Sequence, residues 1–405
     1  MTSSESLHSQ LERLRRQRAW LSNQTPEHIA KSITKALALL TDPNWPKHTQ
    51  ALADIQRCSS LSQGMLRWAF TTIAECYQPG DLKTGIEIPR PRTSSFARSQ
   101  LAFCATLLAG NHPAASIEGL CLPLLQGKPV LAKLPSRDPA TALWFSVALK
   151  EVDAQLADCI ALQRFDHNDT QTLTRFLNSS AELIAYGRDE TMQALRQQLS
   201  PAQQLTTHGT RVGYAFVAAK VFNNTAQVSD TAEQLALDIA AYDQRGCFSP
   251  AAVFAQTDDK QIAQAFAQQL AEALERIHQT LPLGELPDSV AFAQHSWRAV
   301  AAVTGQLWQG ESASVSCETL QSLRSTPGWR CIAVHPCADV GHFLDILQSQ
   351  TNAISTIGIA GGNESLNAMG QACAERNIQA RLCKAGEMQR PTLKELTIQF
   401  ISSDS

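Results

Sequence analysis

Cys247 stands in the stretch Asp243-Gln244-Arg245-Gly246-Cys247-Phe248-Ser249-Pro250, where a helical pattern ends. Ala232, Leu235, Ala236, Ile239 and Ala240 recur at i, i+3, i+4 spacing, and Gly246 and Pro250 then break regular structure on either side of the thiol. A cysteine in a turn is directed toward solvent, among backbone N–H groups that have no ladder partner. A thiolate nucleophile and a developing oxyanion need both conditions. The competing reading is that a loop cysteine is a small inert hydrophobe, as free thiols usually are. Local sequence alone favours this second reading, and only the rest of the chain can change the balance.

Three further turns carry groups of interest: Gly110-Asn111-His112-Pro113, Lys133-Leu134-Pro135-Ser136-Arg137-Asp138-Pro139, and Tyr186-Gly187-Arg188. Each follows an apolar run that reads as a strand, so each is expected at the carboxyl edge of one sheet. An amide, a lysine, an arginine and a glycine ahead of helix starts would suit a nucleotide. Yet no Gly-x-Gly-x-x-Gly follows a predicted strand, and Gly-x-x-x-x-Gly-Lys-Ser/Thr, His-Glu-x-x-His, Cys-x-x-Cys and Gly-x-Ser-x-Gly are all absent. Cys331, His335, Cys337 and His342 crowd together without a regular ligand spacing, and no metal is expected there.

The elements that must position these turns alternate. Residues 1–95 read as a helical N-terminal region in which Thr25-Pro26-Glu27 opens a helix whose face is Ile29, Ile33, Leu37 and Leu40. Such a face predicts packing on the main body. The arginines between Leu11 and Leu21 read as a solvated helix face. From residue 96 the chain alternates strands (101–109, 129–134, 159–162, 182–185, 212–217) with helices, which predicts a parallel α/β sheet across 96–220. A second α/β domain, 221–370, holds Cys247, with strands at 251–255, 331–334 and 355–359 and helices at 260–281, 343–347 and 366–376. Residues 371–405 form a C-terminal segment that either returns to the first domain or makes an interface. The expected active site is a cleft between the domains.

The chain has 405 residues, 44% hydrophobic and 18% charged, and a net charge of −3; the acidic balance argues against nucleic acid and anionic membrane surfaces as partners. No apolar run approaches the roughly 20 residues of a membrane span, and Met1–Arg18 has neither an apolar signal core nor the acid-free character of a transit peptide. Eleven scattered cysteines, an odd number, point to reduced thiols in a cytoplasm.

Taken together, these motifs resemble the aldehyde dehydrogenase superfamily, and within it the LuxC-like fatty acyl-CoA reductases. The resemblance spans about residues 96–390. It is carried by Leu108-Ala109-Gly110-Asn111-His112-Pro113, Pro129-Val130-Leu131-Ala132-Lys133-Leu134-Pro135-Ser136, Ile184-Ala185-Tyr186-Gly187-Arg188, His208-Gly209 and the Cys247 stretch. It implies two Rossmann-like parallel-sheet domains, the first binding NAD(P) without the usual glycine fingerprint. It also implies Cys247 as the acylated nucleophile and Asn111 as the amide that holds the oxyanion with the Cys247 N–H. Lys133 is similar to the lysine that contacts the adenosine ribose, and Gly187 and Arg188 resemble the turn under the pyrophosphate. Ser136 stands where NAD-preferring relatives often carry a glutamate; with Arg137 beside it, NADPH is the expected cofactor, with NADH as the alternative.

Oxidative members of the superfamily keep a glutamate some thirty-odd residues before the cysteine to activate water. Here Thr191–Ser229 contains no Asp or Glu. The resemblance therefore implies reduction of an acyl-CoA or acyl carrier protein thioester to an aldehyde, rather than hydrolysis of the thioacyl intermediate. His208, within this interval, either exchanges a proton at the hemithioacetal or caps the turn before the next strand. Oxidation of free aldehydes and a non-catalytic binding scaffold are the alternatives. An acyl-activating partner enzyme and a homo-oligomer are the expected associations. Relatives continue into a His-Asp-Gly segment where this chain ends in Thr397-Ile398-Gln399-Phe400.

Overall fold

Two sheets account for the alternation of short apolar strands with helices, and the chain divides accordingly. Met1–Ser59, Leu66–Gly209 and Pro391–Ser405 form one unit; Ser60–Met65 and Thr210–Arg390 form the other. The computed structural model describes residues 6–78, 103–166, 168–319, 323–349 and 353–396. The expectations for residues 79–95 of the helical region, for the start of the first strand at Leu101 and for Thr397-Ile398-Gln399-Phe400 lie outside the described residues.

In the N-terminal region α1 (Leu7–Ser22), α2 (Pro26–Thr41), α3 (His48–Ser59) and α4 (Gln63–Cys76) follow one another. The Thr25 side chain accepts from the His28 N–H at 3.2 Å, Pro26 occupies the first helical position, and Ile29, Ile33, Leu37 and Leu40 are all fully buried, as the spacing predicts. The arginine-rich α1 is not merely solvated. Arg13 donates to the carbonyls of Asp158 and Ile160, the latter at 3.1 Å, while Arg15 pairs with Glu12 within the helix. Sequence spacing alone does not reveal that orphan carbonyls at a strand start lie under one of these cations.

The first sheet is built from β1 (Cys104–Leu107), β2 (Val130–Lys133), β3 (Ile160–Gln163), β4 (Glu182–Tyr186) and β5 (Gln204–His208), in the order β3-β2-β1-β4-β5 and entirely parallel. Between them run α5 (Pro113–Leu125), α6 (Ala140–Val152), α7 (Thr170–Leu177) and α8 (Asp189–Gln198). Leu131, Leu183 and Phe103 pack with Phe176, Leu177 and Leu195 beneath Leu14 of α1. Each such buried side chain contributes about 1.5–3 kcal/mol. On the other side, the Trp45 indole donates to Glu151 of α6 at 2.7 Å and meets Trp144 edge-on at 6.2 Å, which docks the N-terminal helices onto this unit. Pro123 lies inside α5, in its last turn.

The second sheet has the order β12-β11-β6-β7-β10-β9-β8, and among the described residues only its β8–β9 pair is antiparallel. Its strands are β6 (Arg211–Val217), β7 (Pro250–Gln256), β8 (Gly305–Gln309), β9 (Ser314–Glu318), β10 (Cys331–Cys337), β11 (Ala353–Ala360) and β12 (Arg381–Lys384). Its helices are α9 (Thr225–Ala240), α10 (Lys260–His278), α11 (Asp288–Thr304), α12 (Val340–Gln348) and α13 (Gly362–Glu375). The period-2 alternation of β6 divides its contacts. Ala215 and Val217 face Leu235, Ile239, Phe266 and Leu270, whereas Tyr214 and Phe216 face Phe343, Leu347 and Met369.

The segment Val212–Val217, counted with the first domain in sequence, pairs instead with β11 and β7 of the second sheet. Only Gly209 and Thr210 separate it from β5. Parallel neighbours in one sheet need a crossover of a dozen residues or more, so β5 and β6 cannot be adjacent parallel strands. Among the described residues, no helix is long and apolar enough to cross a membrane.

Candidate functional site

The Cys247 turn is gripped from both ends within the second unit. Upstream, Tyr242, Asp243 and Gln244 have φ of 53°, 53° and 60°, three consecutive non-glycine residues in the left-handed region. Each such residue costs of order 1–2 kcal/mol and persists only where surroundings over-determine it. Here they do. Asp243, fully buried, accepts from Arg330 Nη2 and from the Gly284 N–H, both at 3.1 Å, and its carbonyl accepts from the Trp329 N–H at 3.1 Å. Gln244 Nε2 donates to the Pro250 and Cys331 carbonyls at 2.9 and 3.2 Å, and the Tyr242 N–H meets Met65 Sδ at 3.3 Å. Arg245 lies over the Trp329 ring, 5.6 Å from its centroid.

Downstream, the Ser249 N–H closes the turn onto the Gly246 carbonyl at 3.1 Å, and the Ser355 hydroxyl donates to the Cys247 carbonyl. Gln389 reaches the Ser249 hydroxyl at 3.0 Å from a loop that Asp238 of α9 holds through the Gly386 and Met388 N–H groups at 2.6 and 3.0 Å. Burial pushes the Asp238 carboxyl up to about 7 against these two donors. Gly213 in β6 allows this approach: a Cβ there would stand 2.8 Å from the Ser249 carbonyl oxygen and 2.9 Å from that of Phe248. Gly213→Ala is therefore expected to destabilise the chain by about 1–3 kcal/mol and displace the turn. Thermal unfolding with a parallel acylation assay checks it, and an unshifted Tm would contradict this packing.

Eleven cysteines are free, and only Cys247 is exposed; Cys58 and Cys76 are half-buried and the other eight buried. Burial pushes the thiols of Cys317 and Cys331 up to about 11 and those of Cys159 and Cys337 up to about 12, with Cys104 and Cys121 raised too. Those thiols stay protonated and unreactive at neutral pH. The buried-hydrophobe reading thus fits eight of the cysteines, whereas Cys247 is exposed.

The remaining sequence-predicted residues gather in the first unit. Because its strands are all parallel, the turns after them share one edge, and the strand order reverses between β1 and β4, the position where open α/β sheets bind ligands. Asn111 follows β1 in a turn fixed by Ser116, whose hydroxyl donates to the Ala109 carbonyl at 2.6 Å. Gly110 lets the next turn close in, since a Cβ there would lie 2.9 Å from Pro135 Cβ. Lys133 ends β2 with its ammonium 5.1 Å from the Phe165 ring centroid; partial burial lowers its pKa, opposed by Asp166. Ser136 and Arg137 are exposed ahead of α6, where buried Asp138 caps the helix through the Thr141 N–H at 3.1 Å. Gly187 and Arg188 follow β4, exposed; the Gly187 N–H donates to the His208 carbonyl at 3.2 Å, and Arg188 is the N-cap of α8. His208 ends β5, its ring stacked on Tyr186 with centroids 4.4 Å apart and planes at 11°. Seven of the eight residues therefore share one sheet edge, and Cys247 lies in the second unit.

Sequence reasoning missed Asp243 and Arg330 as a pair, Ser355 and Tyr186. It also missed that Asp189, two residues before the acid-free interval, lies against Gly209, where its carboxylate would clash with any Cβ. None of these carries a local signal. Among the described residues, no group of three or more His, Cys, Asp or Glu is placed to hold a metal. Cys331 and Cys337 are the buried first and last residues of β10, and His335 Nδ1 engages the Glu318 carbonyl at 3.1 Å.

The model of the family described as acyl-CoA reductase (LuxC) matches residues 21–393. Long-chain acyl-protein thioester reductase 2 of Photobacterium leiognathi is 24% identical over 284 residues, 68% of this chain and 57% of that protein. The long-chain acyl-protein thioester reductase of Aliivibrio fischeri is 25% identical over 198 residues, 48% of this chain and 40% of that protein. The matches thus span about half the length of these relatives. Aldehyde dehydrogenase 21 from Physcomitrella patens superposes with a TM-score of 0.70 at 11% identity, covering 97% of this chain and 88% of that one. NADP-dependent glyceraldehyde-3-phosphate dehydrogenase from Bacillus halodurans C-125 gives 0.69 at 11% identity, covering 97% and 89%. These likenesses show an aldehyde-dehydrogenase-like fold.

Proposed function

Because the chain belongs to the acyl-CoA reductase (LuxC) family, we propose that it reduces an acyl thioester, carried by coenzyme A or by a protein, to an aldehyde with NADPH through a thioacyl intermediate on Cys247. One observation carries the reading: of eleven free thiols only Cys247 is exposed, and it sits in a turn that buried polar groups clamp on both sides. The names of the similar proteins support a long acyl chain on a protein carrier.

The Cys247 thiolate attacks the acyl carbonyl, the oxyanion takes hydrogen bonds from the Asn111 amide and the Cys247 N–H, and the carrier departs as a thiolate. One thiol ester replaces another of similar energy, so this exchange needs no strong acid. When bound, the dinucleotide supplies a hydride to the acyl carbon. Collapse of the resulting hemithioacetal then returns the electron pair to the Cys247 sulfur and frees the aldehyde. In sum, thioester, NADPH and one proton give aldehyde, free thiol and NADP⁺. His208, held by its stack on Tyr186, is our candidate for the proton exchange.

The edge of the first sheet has a donor set that fits the nucleotide. Lys133 and Arg137 supply cations, Ser136 a hydroxyl in place of a carboxylate, and Gly187 an exposed backbone free of side-chain bulk. Arg137 would hold the 2′-phosphate that distinguishes NADPH from NADH. An exposed charge-assisted contact of this kind contributes on the order of 1.4 kcal/mol, so Arg137→Ala is expected to weaken NADPH about tenfold and to leave NADH unchanged in a fluorescence titration. Equal weakening of both would remove Arg137 from this role. The function itself is tested by incubating the chain with a labelled long-chain acyl-CoA and NADPH and identifying the product. Carboxylate formed from free aldehyde and NADP⁺ without coenzyme A, and no aldehyde in the reductive direction, would overturn it.

A further inference from the structure

Behind the nucleophile, two left-handed segments face each other. One is Tyr242–Gln244; the other is Trp329 and Arg330, with φ of 49° and 63°. They are joined by the Trp329 N–H to the Asp243 carbonyl at 3.1 Å, by Arg330 Nη2 to Asp243 Oδ1 at 3.1 Å and by Gln244 Nε2 to the Cys331 carbonyl at 3.2 Å. Both charged partners are 0% exposed. Arg330 Nη2 also donates to the Leu281 carbonyl at 2.7 Å, and the Arg330 carbonyl accepts from the Ser314 N–H at 3.0 Å. Gln294 of α11 donates to the Trp329 carbonyl at 3.0 Å and accepts from Arg298, which bonds Ser314 in turn. Five left-handed residues are thus held by a network that runs through the fully buried Asp243–Arg330 pair.

This arrangement is costly. A buried ion pair is seldom more stable than apolar side chains of the same volume, and Arg330 Nε and Nη1 are buried with no hydrogen-bond partner among the described residues. The left-handed segment adds its own strain. Strain of this kind collects where function needs a backbone that the local sequence would not choose. Here the strained segment ends at Gln244, three residues before Cys247, and Gln244 also bonds the Pro250 carbonyl at 2.9 Å, beyond the thiol. The clasp therefore fixes both ends of the heptapeptide Gln244–Pro250 that carries the nucleophile.

We infer that Asp243 and Arg330 are positioning residues whose buried pair sets the direction from which Cys247 attacks a bound thioester. The inference rests on Cys247 being the acylated nucleophile. The pair touches no substrate; it acts by keeping the turn from relaxing toward right-handed backbone, which would swing the sulfur off its line of attack. Displacements of about 1 Å in a reacting group cost on the order of 100-fold in rate. Access of a small reagent to the same exposed sulfur does not depend on that line.

The test compares the full chain with Asp243→Asn, Arg330→Lys and the double variant Asp243→Asn/Arg330→Met. The double variant leaves no unpaired buried charge, so it carries the test if a single variant fails to fold. Three quantities are measured: transfer of labelled acyl from acyl-CoA to Cys247 by rapid quench, alkylation of Cys247 by iodoacetamide by intact mass, and NADPH affinity. Acyl transfer is expected to fall on the order of 100-fold in Asp243→Asn and in the double variant, and less in Arg330→Lys, which keeps the charge. Alkylation and NADPH affinity are expected to stay at wild-type values. Wild-type acyl transfer in a folded Asp243→Asn or double variant overturns the inference. So does a parallel fall in alkylation, which would mean that the pair controls the thiol's reactivity and not its direction. If the unaltered chain takes no acyl group onto Cys247 while alkylation proceeds, the nucleophile reading has failed, and the inference falls with it for that separate reason.

Discussion

Cys247→Ala is expected to lower aldehyde formation from acyl-CoA and NADPH by at least about 10³-fold while leaving the melting temperature in place. The two halves of this expectation come from the same fact. Cys247 is exposed, so removing its sulfur opens no cavity, and surface substitutions of this kind stay within about 0.5 kcal/mol. The chemistry has no comparable tolerance. Without the sulfur no thioacyl intermediate forms, and alanine supplies no other nucleophile. Cys373→Ala is the informative control: that thiol is buried and raised by burial, so its loss should show in stability and not in turnover. Undiminished aldehyde formation by Cys247→Ala would remove the cysteine, and with it the covalent route, from the mechanism.

Much of this was legible before any coordinates. The α2 cap and face, the edge turns of the first sheet and the Cys247 turn all follow from punctuation and period, because each depends on neighbours close in sequence. The failures have a common physical origin. Gln204–His208 is an edge strand of mostly polar residues, half-exposed, with no apolar run to announce it. In α11, Phe292 and Val303 point outward at 73% and 87% exposure, which blurs the helical period. The start of the second sheet at β6 is a matter of pairing, which a strand's own residues do not encode. The left-handed geometry at Tyr242–Gln244 is least legible of all, since none of the three is a glycine and the groups that impose it, Arg330 and Gly284, are distant in sequence. Acid-free sequence also differs from acid-free space: Thr191–Ser229 lacks Asp and Glu, yet Asp189 packs against Gly209.

Asn111→Ala is expected to lower the rate of acyl transfer to Cys247 by about 10²–10³-fold, with NADPH affinity retained. The tetrahedral intermediate concentrates negative charge on one oxygen, and a fixed amide donor stabilises that charge more than it stabilises the neutral carbonyl of the ground state. The effect should therefore appear in the acylation rate constant at saturating thioester more than in the concentration needed for saturation. The fold supports a fixed amide. Asn111 sits between the end of β1 and the Pro113 start of α5, in a turn whose preceding carbonyl, that of Ala109, is tied to Ser116. Asn111→Asp sharpens the test, because it keeps the size but puts a negative charge where the oxyanion must form; it should be at least as damaging as alanine. An aspartate variant that acylates at the wild-type rate would show that the developing charge is held elsewhere. The Cys247 N–H, whose turn stays clamped by Ser355 and Gln244 in either variant, would then be the sole donor from this pair.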